Sequence, residues 1–215
     1  REIHSSIELE LKESGVSVKI EECSFTDDTV MTCAIPLAIT LWDKEGRADF
    51  DKLSELTSRS MRKLGAAYPY SGYGGHFKRW LIDQTMGPYN SCGNGSAMRV
   101  SPVGWAATSL EECIAMSRAV TEVTHNHPDG IMGAEATAVQ IFMARNGASL
   151  AELELYEQEH YYDIEYDMDW LIDNYEWSSL CDNTCQPAYI CFYGSKGYED
   201  CIRRCMSIGG DSDTI

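Results

Sequence analysis

Two segments near opposite ends of the sequence combine carboxylates with hydroxyls. Residues 26–29 read Thr-Asp-Asp-Thr, and residues 209–214 read Gly-Gly-Asp-Ser-Asp-Thr. Adjacent carboxylates repel each other unless a cation or a proton relieves the repulsion. Hard divalent cations bind such oxygens, and neither segment has a neighbouring His or Cys that would favour zinc. Together the segments predict a site for two Mg²⁺ or Mn²⁺ ions.

A simpler interpretation is open for each acidic segment. Thr26 or Asp27 could cap the helix that follows by accepting hydrogen bonds from free backbone N–H groups. The segment 209–214 could be an ordinary Asp/Gly turn, since its glycines permit tight backbone geometry. Neither alternative explains why both segments present Asp together with Thr.

Three further loops hold small or polar residues that could contact a ligand. The Gly-rich turn at 70–75 could offer backbone N–H groups to an anion, although it is neither a P-loop nor a dinucleotide fingerprint. In the loop 90–99, Arg99 could pair with a carboxylate or phosphate, or could satisfy carbonyls at a helix end. His125 and His127 stand just before a helix, where a histidine either packs and caps or contacts a ligand.

Helices must position these loops, because apolar residues recur mostly with helical spacing. Pro36 lies inside the first predicted helix and should kink or restart it. Only residues 16–20 alternate as a short strand would, so a parallel α/β sheet is not expected. The predicted helices cover residues 28–42, 49–64, 109–123, 128–145, 185–193 and 197–207.

Composition narrows the class of protein. The chain has 215 residues, 44% of them apolar, which suits one globular domain over residues 1–215. A net charge of −17 argues against nucleic acid and anionic membranes as partners. No apolar run approaches the roughly 20 residues of a membrane span. The acidic stretch 152–176 is interpreted as a solvated face, or as a surface for a basic partner. Nine cysteines, an odd number, indicate structural thiols and a reducing, cytoplasmic location.

Five segments occurring in a fixed order resemble the ADP-ribosylglycohydrolase family. They read Phe-Thr-Asp-Asp-Thr-Val-Met at 25–31, Gly-Tyr-Gly-Gly at 72–75, Gly-Asn-Gly-Ser-Ala-Met-Arg at 93–99, Thr-His-Asn-His-Pro at 124–128 with Gly-Ala at 133–134, and Gly-Gly-Asp-Ser-Asp-Thr at 209–214. The resemblance implies an all-α orthogonal multi-helix bundle, a pair of Mg²⁺ or Mn²⁺ ions, and cleavage of ADP-ribose from a modified protein side chain or a related small molecule. Segments typical of the family are missing before residue 1 and after residue 215, so we expect a bundle that is incomplete at both ends.

The resemblance also implies roles for individual residues. The metal ligands would be Thr26, Asp27, Asp28, Asp211, Asp213 and Thr214. The phosphates would bind Gly72, Tyr73, Gly74 and Gly75. The ribose and adenine end would be lined by Gly93, Asn94, Gly95, Ser96, Met98, Arg99 and His125. Glu2 resembles a glutamate that lies near the metals on a mobile loop, and Asp27, Asp28 or Glu2 would orient the attacking water or accept its proton.

Other functions remain open at this point. The same pocket could bind ADP-ribose without turning it over. The chain could also be a regulatory protein that has lost its metals, although the four aspartates are intact, or a metal-dependent phosphoesterase. Release of free ADP-ribose separates the hydrolase from each of these alternatives.

Overall fold

The fold is all-α, as predicted. The computed structural model describes residues 24–47, 49–164 and 167–215. Within these ranges every regular element is a helix, and the only extended pairing is an isolated bridge between Gly93 and Leu180. The helices are α1 Asp27–Lys44, α2 Phe50–Ala67, α3 Gly75–Ile82, α4 Ser101–Ala106, α5 Leu110–Thr121, α6 Pro128–Arg145, α7 Leu150–His160, α8 Met168–Asn174, α9 Cys181–Tyr193 and α10 Tyr198–Ile208.

Helix α1 lies at the centre of the main core. Met31, Ala34, Ile35 and Ala38 recur at spacings of three or four and are completely buried against α2 and α4. The helix continues through Pro36, so the predicted restart does not occur. A proline removes one backbone donor, and the packing of this buried face compensates for that loss. The buried face holds the first turn of α1, with its two aspartates, in a fixed place.

Helix starts follow the polar residues that precede them. Asp49 accepts a hydrogen bond from the backbone of Lys52 at the start of α2, and Ser109 accepts one from Glu112 at the start of α5. Thr26, by contrast, makes no side-chain capping bond to α1. The capping interpretation therefore does not account for the threonine of the first acidic segment.

The C-terminal helices pack on this core through small residues and thiols. A Cβ added at Gly133 of α6 would lie 2.8 Å from the sulfur of Cys181 and 3.0 Å from that of Cys185. Only glycine lets α9 approach so closely. The eight cysteines within the described residues are all free, and five of them are buried. Helix α9 in turn packs against α10, which ends at the second acidic segment.

One expectation about the acidic stretch 152–176 is wrong in part. Most of its carboxyl groups within the described range are exposed or half-buried, but Glu157 of α7 is completely buried. Its Oε2 accepts a hydrogen bond of 2.8 Å from Nε2 of Gln140. Because α7 packs against α6, this side chain points into the core rather than into solvent. The predicted strand at 16–20 lies outside the described residues.

Candidate functional site

The two acidic segments come together although they are far apart in the sequence. The hydroxyl of Thr214 donates to Oδ1 of Asp28 at 2.9 Å, and the hydroxyl of Thr26 lies 3.4 Å from Oδ2 of the same carboxylate. The charges of Asp211 and Asp213 both act on Asp27 and Asp28. We call Asp27, Asp28, Asp211 and Asp213 the acidic cluster.

Two local features position the acidic cluster. Asp27 and Asp28 lie in the first turn of α1, where the helix dipole favours negative charge. At the other end, α10 stops at Gly209, and Gly209 and Gly210 both adopt positive φ angles of 73° and 82°. The chain then closes a turn in which the backbone N–H groups of Thr214 and Ile215 donate to the carbonyl of Asp211. The paired glycines thus provide the tight reversal that the sequence predicts.

The carboxylates of the cluster bear an electrostatic cost. Burial raises the pKa of Asp28 to about 6; the hydrogen bond from Thr214 opposes this shift, and the charges of Asp213 and Asp27 add to it. Burial, followed by repulsion from Asp213 and Asp211, also raises the pKa of Asp27. Burial and Asp213 raise the pKa of Asp211, against the hydrogen bond from Asn94. A cation placed among these oxygens would remove the repulsion.

The donor chemistry of the cluster fits hard divalent cations. Carboxylate and hydroxyl oxygens are the ligands that Mg²⁺ and Mn²⁺ prefer. In the described part of the chain, no three His, Cys, Asp or Glu side chains already form a group that could hold a metal ion. Instead, Thr214 holds one oxygen of Asp28 and Asn94 holds one oxygen of Asp211. The residue types and their convergence support a metal centre, which belongs to the proposal below.

The glycine turn, residues 72–75, lies beside the acidic cluster. Gly72 has a φ of 99°, and a Cβ added there would lie 3.2 Å from Oδ1 of Asp27. Tyr73 is buried in the core, whereas Gly74 and Gly75 are exposed at the start of α3 with open space around them. Lys78, one turn further along α3, is exposed and close enough for its charge to act on Asp27.

The small-residue loop, residues 93–99, is built over a buried polar pair. Arg99 is 1% exposed, and its guanidinium donates to the carbonyl of Gly95 at 2.6 Å and to the hydroxyl of Thr124 at 2.9 Å. His125 is also buried, with Nδ1 2.7 Å from the same hydroxyl and Nε2 beneath Gly95. Burial and the charge of Arg99 lower the pKa of His125 well below its usual value, so this ring is neutral.

The sequence leaves open whether Arg99 pairs with an anionic ligand or satisfies carbonyls of the protein. The guanidinium satisfies a carbonyl and a hydroxyl within the protein, as in the structural interpretation. Ser96 likewise donates inward, to the carbonyl of Gly130 at 2.8 Å. Gly95 and Met98 are half-buried and lie nearer the surface. The loop therefore presents backbone outward, whereas its polar side chains are directed into the fold and Met98 packs against the main core.

No sequence pattern indicates three residues that contact the candidate site: Thr184, Tyr175 and Tyr89. Thr184 is contacted by Asn94, which was expected to line the ribose but donates to Oδ2 of Asp211 at 2.7 Å and to Thr184 at 3.2 Å. The ring of Tyr175 contacts Gly210, and Tyr89 lies between the rings of His76 and His125. Thr184, Tyr175 and Tyr89 belong to separate helices or loops, so only the folded chain reveals them. Glu2 lies outside the described residues.

Comparison with known proteins identifies the family. The model of the ADP-ribosylglycohydrolase family matches residues 3–215, so the chain belongs to that family. ADP-ribosylhydrolase ARH3 from Mus musculus is 29% identical over 150 residues, which are 63% of this chain and 39% of that protein. The chain thus aligns with well under half the length of this curated relative.

A solved structure supports the fold. A chain described as an ADP-ribosylglycohydrolase-related protein complex superposes with a TM-score of 0.61, covering 89% of this chain and 67% of its own. The two sequences are 20% identical, so this likeness bears on the fold alone. Each helix within the described residues is too short or too polar to cross a bilayer.

Proposed function

We propose that the chain binds two divalent cations, Mg²⁺ or Mn²⁺, at the acidic cluster and hydrolyses an ADP-ribosyl bond. The observation that carries this proposal is the hydrogen bond from Thr214 to Asp28, which joins the two Asp/Thr segments of a chain in the ADP-ribosylglycohydrolase family. The ligands would be Thr26, Asp27, Asp28, Asp211, Asp213 and Thr214.

The chemistry required at the reacting carbon explains this choice of residues. An ADP-ribosyl bond breaks at the anomeric carbon through a transition state with positive charge on the ribose ring. Bound cations would orient the ribose hydroxyls and lower the pKa of a water molecule. Asp27 or Asp28, or Glu2 beyond the described range, would orient that water or accept its proton. The surrounding carboxylates also favour a transition state that carries positive charge.

Binding of the anionic substrate needs local positive groups, because the chain as a whole carries a charge of −17. The exposed N–H groups at Gly74 and Gly75, at the start of α3, suit a diphosphate. Lys78 adds an accessible cation next to them. The small-residue loop and His125 would line the ribose and adenine end through backbone atoms, with Arg99 holding the loop from beneath.

The test measures release of free ADP-ribose from an ADP-ribosylated protein by chromatography and mass spectrometry. We expect release with Mg²⁺ or Mn²⁺, none after chelation, and recovery when the metal is restored. Asp27→Ala and Asp213→Ala should each abolish release, while Asp51→Ala, the same change at an exposed position of α2, should not. Full activity in either cluster variant would refute the assignment.

The products also separate the alternatives. Binding of ADP-ribose without release would identify a binding module, and inorganic phosphate as product would identify a phosphoesterase. A preparation that binds neither metal nor ADP-ribose would favour a regulatory protein. The acceptor to which ADP-ribose is attached, whether a protein side chain or a small molecule, is identified in the same experiment by varying the substrate.

A further inference from the structure

The side chain of Asn94 connects the small-residue loop to the acidic cluster. It is 6% exposed, and both of its described side-chain contacts involve Nδ2, which donates 2.7 Å to Oδ2 of Asp211 and 3.2 Å to Oγ1 of Thr184. An amide nitrogen carries two hydrogens, so these contacts use both. The buried amide is therefore held between α9 and the turn that follows α10.

Other bonds fix the position of this amide. The backbone N–H of Asn94 donates to the carbonyl of Ser179 at 2.8 Å. Thr184 donates its own hydroxyl hydrogen to the carbonyl of Leu180 at 2.8 Å, which leaves an oxygen lone pair for Asn94. The hydroxyl is anchored on α9, so the direction of the amide does not depend on Asp211. Asn94 can therefore impose an orientation on the Asp211 carboxylate, which lies in a glycine-preceded turn.

The chemistry of an amide suits this task. A lysine or arginine in the same place would neutralise the carboxylate and compete with a cation for it. The amide brings no net charge and contacts only Oδ2 of Asp211, so Asn94 itself does not occupy Oδ1. Groups that orient metal ligands by hydrogen bonds affect metal affinity by roughly 10- to 100-fold.

We propose that Asn94 is a positioning residue for cation binding, acting through Asp211, with Thr184 as its support. This inference rests on the proposed function, because it needs the acidic cluster to bind a divalent cation. It assigns Asn94 a role different from contact with the ribose, since its amide is directed at the carboxylate.

The experiment titrates Mn²⁺ into the full chain and follows free Mn²⁺ by electron paramagnetic resonance. We expect Asn94→Ala to weaken Mn²⁺ binding by roughly 10- to 100-fold. Thr184→Val should weaken it less, and Thr184→Ser, which keeps the hydroxyl, should restore it. Asn183→Ala is the matched control, because Asn183 is exposed on the same helix and its amide contacts Ser178 rather than Asp211.

The results distinguish failure of the proposed function from failure of the inference about Asn94. If the wild-type chain binds no Mn²⁺, the proposed function fails and this inference fails with it. If the wild type binds Mn²⁺ and Asn94→Ala binds it equally well, only the inference is overturned. Loss of metal-free ADP-ribose binding in Asn94→Ala with unchanged Mn²⁺ affinity would assign the residue to ligand contact instead. If circular dichroism shows that Asn94→Ala does not fold, the Thr184→Val and Thr184→Ser pair decides the question.

Discussion

Glu157 and Asp28 of the acidic cluster both have a raised pKa, but their surroundings differ. Glu157 is fully buried with one neutral donor, Gln140, and its Oε1 has no partner among the described residues. Burial raises its pKa to about 8, so the group is neutral at lower pH. The aspartates of the cluster are half-buried or exposed, repel each other, and accept hydrogen bonds from Thr214 and Asn94.

The two environments favour different ways of relieving the charge of a carboxylate. A single acid deep in the core takes up a proton, because no cation can reach it. Several acids at the edge of the fold, surrounded by hydroxyl and amide donors, keep their oxygens available to a cation from solvent. A raised pKa is common to both, so exposure and the number of neighbouring acids distinguish a structural carboxyl group from a ligand.

The largest effect is expected at Asp28. Asp28→Asn keeps the shape and an oxygen for Thr214, but removes the charge that attracts a cation. We expect loss of Mn²⁺ binding and at least a 100-fold fall in ADP-ribose release, consistent with loss of a group that acts in proton transfer or metal binding. Wild-type protein at 100 times the Kd for Mn²⁺ should gain about 2.7 kcal/mol of unfolding free energy, and the variant should gain none.

The same variant has an opposite effect without metal. Above pH 6 the Asp28 carboxylate is ionised against its neighbours. Its removal should therefore stabilise the metal-free chain by something on the order of 1 kcal/mol, after allowance for partial exposure. Urea unfolding in the presence of a chelator measures this. A metal-free variant less stable than the wild type would show that Asp28 has a structural role instead.

A smaller but distinct effect is expected at Glu157. Its pKa rises from 4.5 unfolded to about 8 folded, so the stabilisation is complete below pH 4.5 and is lost as pH rises to about 8. Glu157→Gln removes this dependence and can donate to Oε1 of Gln140, which has no partner among the described residues. We expect the variant to be a few kcal/mol more stable than the wild type at pH 8.5, since each pKa unit is worth about 1.4 kcal/mol.

Urea unfolding at pH 5, 7 and 8.5 checks the Glu157 prediction. Glu159→Gln, on an exposed position of the same helix, is the control and should run parallel to the wild type. The comparison also requires that Glu157→Gln leaves Mn²⁺ binding unchanged. Parallel pH curves for the Glu157 variant and the wild type would mean that this carboxyl group is not protonated in the folded chain.

The helical class and most helices that carry the site follow from sequence patterns. Predicted helices at 28–42, 49–64 and 128–145 correspond to α1, α2 and α6, because their apolar faces are long and periodic. Helices α3, α4 and α8 have eight or fewer residues, and four of the eleven residues of α7 are glutamates, so apolar periodicity gives little sign of these helices. The burial of Glu157 depends on the packing of α7 against α6, which no local pattern encodes.

For the candidate site, residue types in the sequence indicate which segments come together, but they do not indicate where each side chain points. Both Asp/Thr segments offer carboxylate and hydroxyl oxygens, so the sequence predicts that they lie close together. Thr214 does contact Asp28. The direction of Arg99, Ser96 and Asn94 could not be predicted, since a polar side chain in a loop can face a ligand or the fold equally well. Their hydrogen bonds to Gly95, Gly130 and Asp211 are long-range or depend on the folded loop.

The smallest effect is expected at Gly72, where the glycine turn meets the acidic cluster. A φ of 99° disfavours any side chain, and an added Cβ would lie 3.2 Å from Oδ1 of Asp27. Gly72→Ala should cost about 1–2 kcal/mol of stability through backbone strain. It should also weaken Mn²⁺ binding severalfold by displacing Asp27.

Gly74→Ala is the matched control for this change, because Gly74 has ordinary helix-entry angles and open space around its Cα. Its Mn²⁺ affinity should equal that of the wild type. Equal Mn²⁺ affinity in both glycine variants would separate the turn from the cluster. Cation binding, which distinguishes the cluster from Glu157, would then depend on Asp28 and the turn at 211–215. Asp27 could be displaced without loss of the cation.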